Sequence, residues 1–143
     1  MTMGVRFNVA QFKDSLNAKL ADMHEAPRPA AQAGVQIIYD RARMNAPVSD
    51  KPHYFHIRGK KYGPYQPGNL RDSVYQVFSK DLSFKDVSTY EVSWNKSKAP
   101  YGFVAELGNS KTGSKSFIAR SVVETRAEVR QAIKTRYVEE VSK

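Results

Sequence analysis

The 143-residue chain contains no cysteine, which excludes disulfide bonds and thiolate metal ligands and favours a reducing compartment. It also has no apolar run of membrane length and no charged-then-apolar leader, so we expect neither membrane insertion nor secretion. Aspartate is absent after Asp86, and no acidic residue of either kind occurs in segment 51–71.

Positive charge, by contrast, is in excess and is unevenly distributed. Twenty-three Lys and Arg against fourteen Asp and Glu give a net charge of +9. Segment 51–71 has five basic residues and no acid, and segment 96–115 has four basic residues against Glu106 alone. Charge confined to two loop-like segments predicts an electropositive patch that faces nucleic acid or the acidic face of another protein. The alternative is that this charge serves solubility alone.

Hydrophobic periodicity predicts two helices at the start of a single domain that spans residues 1–143. The first begins after Asn8, which can cap it, and it breaks or kinks at Pro27. The second ends near Asn45 because Pro47 follows. Small residues on the second helix would let a neighbour approach closely. The apolar faces are Phe12, Leu16, Leu20 and Met23 in the first helix, and Ala30, Ala33, Gly34, Ile37, Ile38 and Ala42 in the second.

The rest of the chain predicts a small sheet and a long terminal helix. Residues 48–69 are rich in turn formers, aromatics and Lys, and they predict an extended loop or a loose hairpin. "SVYQVFSKDLSF" and "DVSTYEVSW" predict two antiparallel strands, whereas "APYGFVAELG" suits a strand or one or two helical turns. An apolar stripe from Phe117 to Val141 predicts one helix. The fold class is therefore α+β, a small antiparallel sheet with the N-terminal helical segment and the C-terminal helix packed on one face.

The stretch "GNSKTGSKS", residues 108–116, is similar to a phosphate-binding P-loop without satisfying its motif. A P-loop needs Lys and Ser or Thr directly after its second glycine, and here Ser114 separates Gly113 from Lys115. A working site also needs a later strand that ends in an acid for magnesium, and only one helix follows. We interpret these residues as a basic loop and expect no bound cofactor.

Metal binding and catalysis are both weakly indicated. His53 and His56 are spaced H-x-x-H, but zinc needs three or four ligands and no acid lies nearby, so we expect no metal. His24 has no Ser or acid motif around it, and we expect that the protein is not an enzyme. One enzymatic alternative stays open, a ribonuclease-like toxin that positions RNA with scattered polar residues.

An aromatic and basic run within segment 54–65 could bind nucleic acid, since rings stack on bases while cations neutralise phosphates. The alternative is a segment that becomes ordered against another protein chain, because Tyr and Arg are also preferred at protein interfaces. Composition alone does not separate the two interpretations. The run is Tyr54, Phe55, His56, Arg58, Lys60, Lys61, Tyr62 and Tyr65.

Three pieces of the chain carry a family resemblance: a helix ending in Ala46-Pro47, "PGNLRDSV" at 67–74, and "PYGFVAELGN" with "SFIARSV" downstream. Taken in order, they resemble the minor tail-component, or neck and tail-completion, family of long-tailed bacteriophages. In that family an Ala-Pro closes the helix, Gly-x-Leu-Arg-x-Ser introduces the sheet, and Tyr-Ala-x-x-x-Glu-x-Gly precedes a Phe-led terminal helix. The match in order and spacing covers about residues 30–134.

The chain also departs from the family pattern. The insertion between Pro47 and Pro67 is longer and more aromatic than usual, and Gly102 stands where Ala is common. Asn109 replaces the family's Thr, and Ser116 replaces the Pro that precedes the terminal helix. These differences concern the loops more than the fold.

The resemblance implies a structural virion protein of the tail or neck, made in the host cytoplasm and free of membrane contact. Its copies would form a homo-oligomeric ring, such as a hexamer, through which genomic DNA passes, beside adjacent neck, tail-terminator or tail-tube proteins. Ring closure requires two different faces that meet, and the terminal helix and the Tyr-rich insertion could supply them. The second interpretation is a nucleic-acid-binding module.

The predicted interface or DNA-facing residues come from the two basic segments. Glu106, an acid isolated among cations, would pair with a neighbour's Lys or Arg, or else lie in water as an ordinary helix or turn acid. We expect that charge reversal at the four lysines of this set would block particle completion. The set is Arg58, Lys60, Lys61, Tyr62, Tyr65, Arg71, Lys111, Lys115 and Glu106.

Overall fold

The computed structural model describes residues 9–84, 86–109 and 113–143. Helices at both ends and two antiparallel strand pairs between them confirm the α+β class. The elements are α1 (Val9–Glu25), α2 (Pro27–Asn45), β1 (His53–Ile57), β2 (Lys60–Tyr65), α3 (Asn69–Ser73), β3 (Val74–Phe78), β4 (Tyr90–Trp94), α4 (Gly102–Leu107), α5 (Phe117–Glu124) and α6 (Arg126–Val141).

Prolines mark the boundary between the two N-terminal helices and the end of the second one. α1 ends at Glu25 and α2 begins at Pro27, a first-turn position where the missing N–H of proline costs nothing. α2 ends at Asn45, as predicted, because Ala46 turns to extended backbone before Pro47. The predicted cap Asn8 lies outside the described residues.

The strands form two separate two-stranded sheets where the sequence predicted one. β1 and β2 pair antiparallel, which confirms the hairpin alternative for the insertion. β3 and β4 also pair antiparallel, as predicted, although both are shorter than the sequence patterns suggested. The segment "APYGFVAELG", which suited either a strand or helical turns, contains helix α4, so the helical alternative is confirmed.

α2 is the central element, with the β3–β4 sheet on one side and the C-terminal helices on another. Gln76 of β3 hydrogen-bonds with Gln32 and Gln36 of α2, at 2.8 and 2.7 Å. α6 runs along α2 at Gly34, where an added Cβ would lie 2.7 Å from Ile133 Cγ1. The predicted close approach at small residues is therefore confirmed, and its neighbour is α6.

The prediction of one unbroken terminal helix was wrong, because the helix is interrupted at Thr125. The buried hydroxyl of Thr125 donates to the carbonyl oxygen of Ser121 at 2.6 Å. The hydroxyl of Ser121 likewise donates to the carbonyl of Phe117. Such back-bonding from Ser and Thr competes with the regular helix and bends it. α5 contacts the sheet through Phe117, whose ring lies 5.6 Å from Trp94, while α6 packs along α2.

The core of the described residues is small and rich in alanine. Nine apolar residues are buried there, and five of them are Ala26, Ala30, Ala42, Ala46 and Ala99. Alanine buries little apolar area, so each contact contributes little to stability. The larger core side chains belong to one cluster that includes Leu70, Val74 and Phe117.

Candidate functional site

The β1–β2 hairpin brings four of the predicted site residues together at its free end. Arg58 and Gly59 form the turn, and Lys60, Lys61 and Tyr62 follow on β2, all of them exposed. Ile57 pairs with Lys60, so the turn has only two residues. We call residues 58–61 the hairpin tip.

The base of the hairpin is held by an aromatic cluster around Tyr101, a residue that the sequence analysis did not single out. The Tyr101 ring lies 4.6 Å from His53, 5.0 Å from Tyr65 and 6.0 Å from Phe55, measured between ring centroids. The side-chain amide of Asn69 donates to the Tyr101 hydroxyl at 3.1 Å. Burial raises the pKa of Tyr101, so the phenol stays neutral. Tyr65 therefore serves as an anchor of the hairpin.

The histidines of the H-x-x-H spacing do not face a common point. Burial alternates along β1, with His53 half-buried against Tyr101 and His56 exposed on the opposite face. The third histidine, His24, pairs with Asp86. Within the described ranges, no cluster of three or more His, Cys, Asp or Glu could hold a metal ion.

The remaining predicted site residues lie apart from the hairpin tip along the chain. Arg71, in α3, bonds the carboxylate of Asp72 at 3.0 Å and, with Arg43, lowers the pKa of that carboxyl. Lys115 is exposed between α4 and α5, and its backbone N–H donates to Ala105 at 2.7 Å. Lys111 lies outside the described residues.

Glu106 has a role within the chain that the sequence did not reveal. Its two carboxylate oxygens accept hydrogen bonds from the backbone N–H groups of Ile118 and Ala119, at 2.9 and 3.0 Å. The hydroxyls of Ser114 and Ser116 donate to its carbonyl oxygen. The amides of Ile118 and Ala119 lie in the first turn of α5, the position where the helix of a P-loop would bind phosphate. The Glu106 carboxylate therefore occupies the position at the start of α5 where a bound anion would lie.

The three pieces of the family resemblance meet in the hydrophobic core. Ala46, Leu70 and Phe117, one residue from each piece, belong to the same buried cluster. The hydroxyl of Ser73 donates to the Leu70 carbonyl at 2.7 Å, and the Asn45 amide donates to Ser121 at 2.9 Å. Residues of these motifs therefore position elements of the fold.

A cavity of about 240 Å³ lies at the base of the hairpin, beside His53, Leu70 and Tyr101. Small-molecule sites usually have volumes of about 300 to 1,000 Å³. No Asp, Glu, Lys or Arg lines the cavity. It therefore adds no charged group to the candidate site, which is centred on the hairpin tip.

Comparison of the chain with protein-family models, with curated proteins and with solved structures found no match. No helix in the described part of the chain is both long enough and apolar enough to cross a bilayer.

Proposed function

We propose that the protein is a structural, ring-forming subunit of a phage neck or tail terminus, as the sequence resemblance implies. The observation that carries the proposal is a set of large apolar side chains that stay exposed in the described part of the chain, among them Phe84 and Leu107. Contiguous apolar surface of this kind is what an interface between subunits buries.

Two apolar patches support a head-to-tail contact between copies. The loop patch, Leu82, Phe84 and Val87, lies near the start of α2, where Asp86 pairs with His24. The α4 patch consists of Phe103 and Leu107 and lies near the end of α2, where Ala105 packs against the core cluster. α2 is about 28 Å long at 1.5 Å per residue. Different patches at opposite ends are what ring closure needs.

This arrangement differs from the pair of faces that the sequence suggested. One side of α6 packs against α2 within the same chain, and Tyr65 of the insertion packs against Tyr101. Those surfaces are therefore already in use inside the subunit. Phe84 and Leu107, by contrast, are 71% and 75% exposed. Apolar side chains that are exposed next to each other mark interaction surfaces, whereas single ones are common on any protein.

Wild-type protein at micromolar concentration should form one closed oligomer, whereas Phe84→Asp and Leu107→Asp should each be monomeric. Each variant keeps one intact patch, so an equal mixture of the two should form dimers that grow no further. Size-exclusion chromatography with light scattering measures all four samples.

Val123→Asp is the matched control, because Val123 is 65% exposed and belongs to neither patch. It should assemble as the wild type does. A wild-type monomer at high micromolar concentration would refute the ring. Assembly of Phe84→Asp alone would refute the head-to-tail contact.

In an infected host, a phage that carries Lys60→Glu, Lys61→Glu and Lys115→Glu should accumulate unjoined heads and tails. The reversed charges would repel the anionic partner of the basic surface, while exposed lysines contribute little to folding. Electron microscopy of lysates and plaque counts measure the effect. The control reverses Lys13, Lys80 and Lys134, which lie elsewhere on the surface, and infectious particles at normal titre from the first variant would contradict the proposal.

The clustering of cations at the hairpin tip favours a second candidate function, a nucleic-acid-binding module that acts without a ring. The two functions differ in whether a monomer binds DNA at physiological salt.

A further inference from the structure

We propose that the β1–β2 hairpin binds duplex DNA through the phosphates, without sequence preference, and that its strained turn serves this contact. The inference rests on the proposed ring, which would present the hairpins of all copies to the DNA inside it. It assigns the DNA contact to one element and leaves the loop around Lys115 out of it.

The turn of the hairpin holds an arginine where other residues fit better. Arg58 and Gly59 have φ angles of 50° and 79°, so both central residues of this two-residue turn are left-handed. Such turns strongly prefer Asn or Asp followed by Gly. A side chain other than Gly, Asn or Asp is strained at positive φ. A chain optimised for stability alone would have Asn at this position.

The cations of the tip form no ion pair in the described part of the chain, whereas five of the nine arginines described there do. Arg41, Arg43, Arg71, Arg120 and Arg136 are each ion-paired with a carboxylate. The side chains of Arg58 and Lys60 make no ion pair or hydrogen bond among the described residues, and the Lys61 ammonium lies 3.9 Å from the ring centroid of Tyr54. Three exposed cations within four residues repel each other unless an anion binds them.

The shape of the hairpin favours DNA over an acidic protein. His53 and Phe55 of β1 pack against Tyr101 and Phe103, and the centroids of the Phe55 and Phe103 rings lie 6.4 Å apart. These contacts hold the base of the hairpin against α4, and the tip projects from it. A two-stranded ribbon fits the major groove. Duplex DNA carries about one charge per 1.7 Å of its axis, a density that matches closely spaced cations. The basic tip itself is a poor fit for another copy of the chain, whose charge is in positive excess, so the proposed contact between copies uses the two apolar patches and leaves the tip for the DNA.

Fluorescence anisotropy with a labelled 20-base-pair duplex of arbitrary sequence, titrated with the full chain at several salt concentrations, tests the assignment. Each phosphate contact contributes about −0.9 to the slope of log affinity against log salt. Three contacts predict a slope of about −2.7 for each engaged hairpin, so affinity should fall about 40-fold between 50 and 200 mM salt when one hairpin binds, and more steeply when several do. A duplex of different sequence should bind equally well.

Arg58→Asn should weaken the binding and stabilise the fold. The salt slope should become less steep by about 0.9 for each engaged hairpin. The thermal midpoint should rise by about 2 °C, because Asn adopts the left-handed turn with less strain. Arg58→Lys keeps the charge and should retain the slope, and Lys134→Gln, on α6, should change neither quantity.

Three outcomes would overturn the assignment: no DNA binding at 50 mM salt, an unchanged slope for Arg58→Asn, or binding of poly-L-glutamate as tight as that of DNA. The last result would identify an acidic protein as the partner. Light scattering on the same samples separates this inference from the ring. Oligomers that ignore DNA refute the hairpin contact alone, and monomers that bind DNA through Arg58 refute the ring alone.

Discussion

Gly102→Ala should lower the thermal midpoint by about 8 °C, the largest effect that we expect from a single methyl group. A Cβ at this position would lie 2.1 Å from Nε1 and 2.5 Å from Cε2 of the Trp94 indole. The indole has little room to move, since Phe117 behind it is fully buried. Overpacking of this kind costs about 2–3 kcal/mol, and 1 kcal/mol corresponds to about 2–4 °C for a chain of this size.

The matched control for Gly102→Ala is Gly113→Ala, where an added Cβ meets nothing within 4 Å. It should leave the midpoint unchanged within about 1 °C, as exposed substitutions usually do. Trp94→Phe removes the clashing part of the ring, so the double variant should lose less stability than the sum of the two single variants. An unaltered midpoint for Gly102→Ala would contradict the contact. Glycine at position 102 therefore leaves the space that the indole of Trp94 occupies.

Glu106→Ala should lower the free energy of unfolding by about 2 kcal/mol, because the first amides of α5 lose both acceptors. Loss of a helix cap costs about 0.5–2 kcal/mol, and hydrogen bonds to charged groups contribute about 1.5–3 kcal/mol. The negative charge also interacts favourably with the positive end of the helix dipole. Urea denaturation measures the loss, and amide hydrogen exchange at Ile118 and Ala119 should become faster.

Two further variants show whether the carboxylate acts through those amides. Glu106→Gln keeps one acceptor oxygen and should lose about half as much stability as the alanine variant, about 1 kcal/mol. Glu128→Ala removes an acid from the first turn of α6 whose side chain makes no hydrogen bond or ion pair in the described part of the chain, and it should cost under about 0.5 kcal/mol. Equal losses for Glu106→Ala and Glu128→Ala would show that general helix electrostatics, and not the cap, is responsible.

The parts of the fold that follow from local chemistry were predictable from the sequence. Pro47 restricts the residue before it, so the end of α2 at Asn45 could be predicted from two or three neighbouring residues. The alternating residues of β3 and β4 likewise predicted an antiparallel pair. The hairpin was only one of two alternatives, because its Arg58-Gly59 turn lacks the Asn-Gly signature that would have identified it.

The features that depend on contacts distant in the chain were not predictable. The partners of Glu106 follow it by twelve and thirteen residues, and only the packing of α4 beside α5 brings them together. Tyr101 lay in a segment that suited a strand or helical turns, and its contacts with His53 and Tyr65 depend on a hairpin far earlier in the chain. The interruption at Thr125 arises from a hydroxyl that is buried, and an apolar stripe carries no information about hydroxyl burial.

The alanine-rich core has a consequence for the lifetime of an unassembled copy. In the proposed ring, a chain with so small a core would gain most of its protection against unfolding from its neighbours, because binding to the folded state shifts the unfolding equilibrium by mass action. Melting should then depend on protein concentration, and solitary copies should be the ones that cellular proteases degrade. Turnover of this kind would keep the pool of spare subunits low without any dedicated regulator.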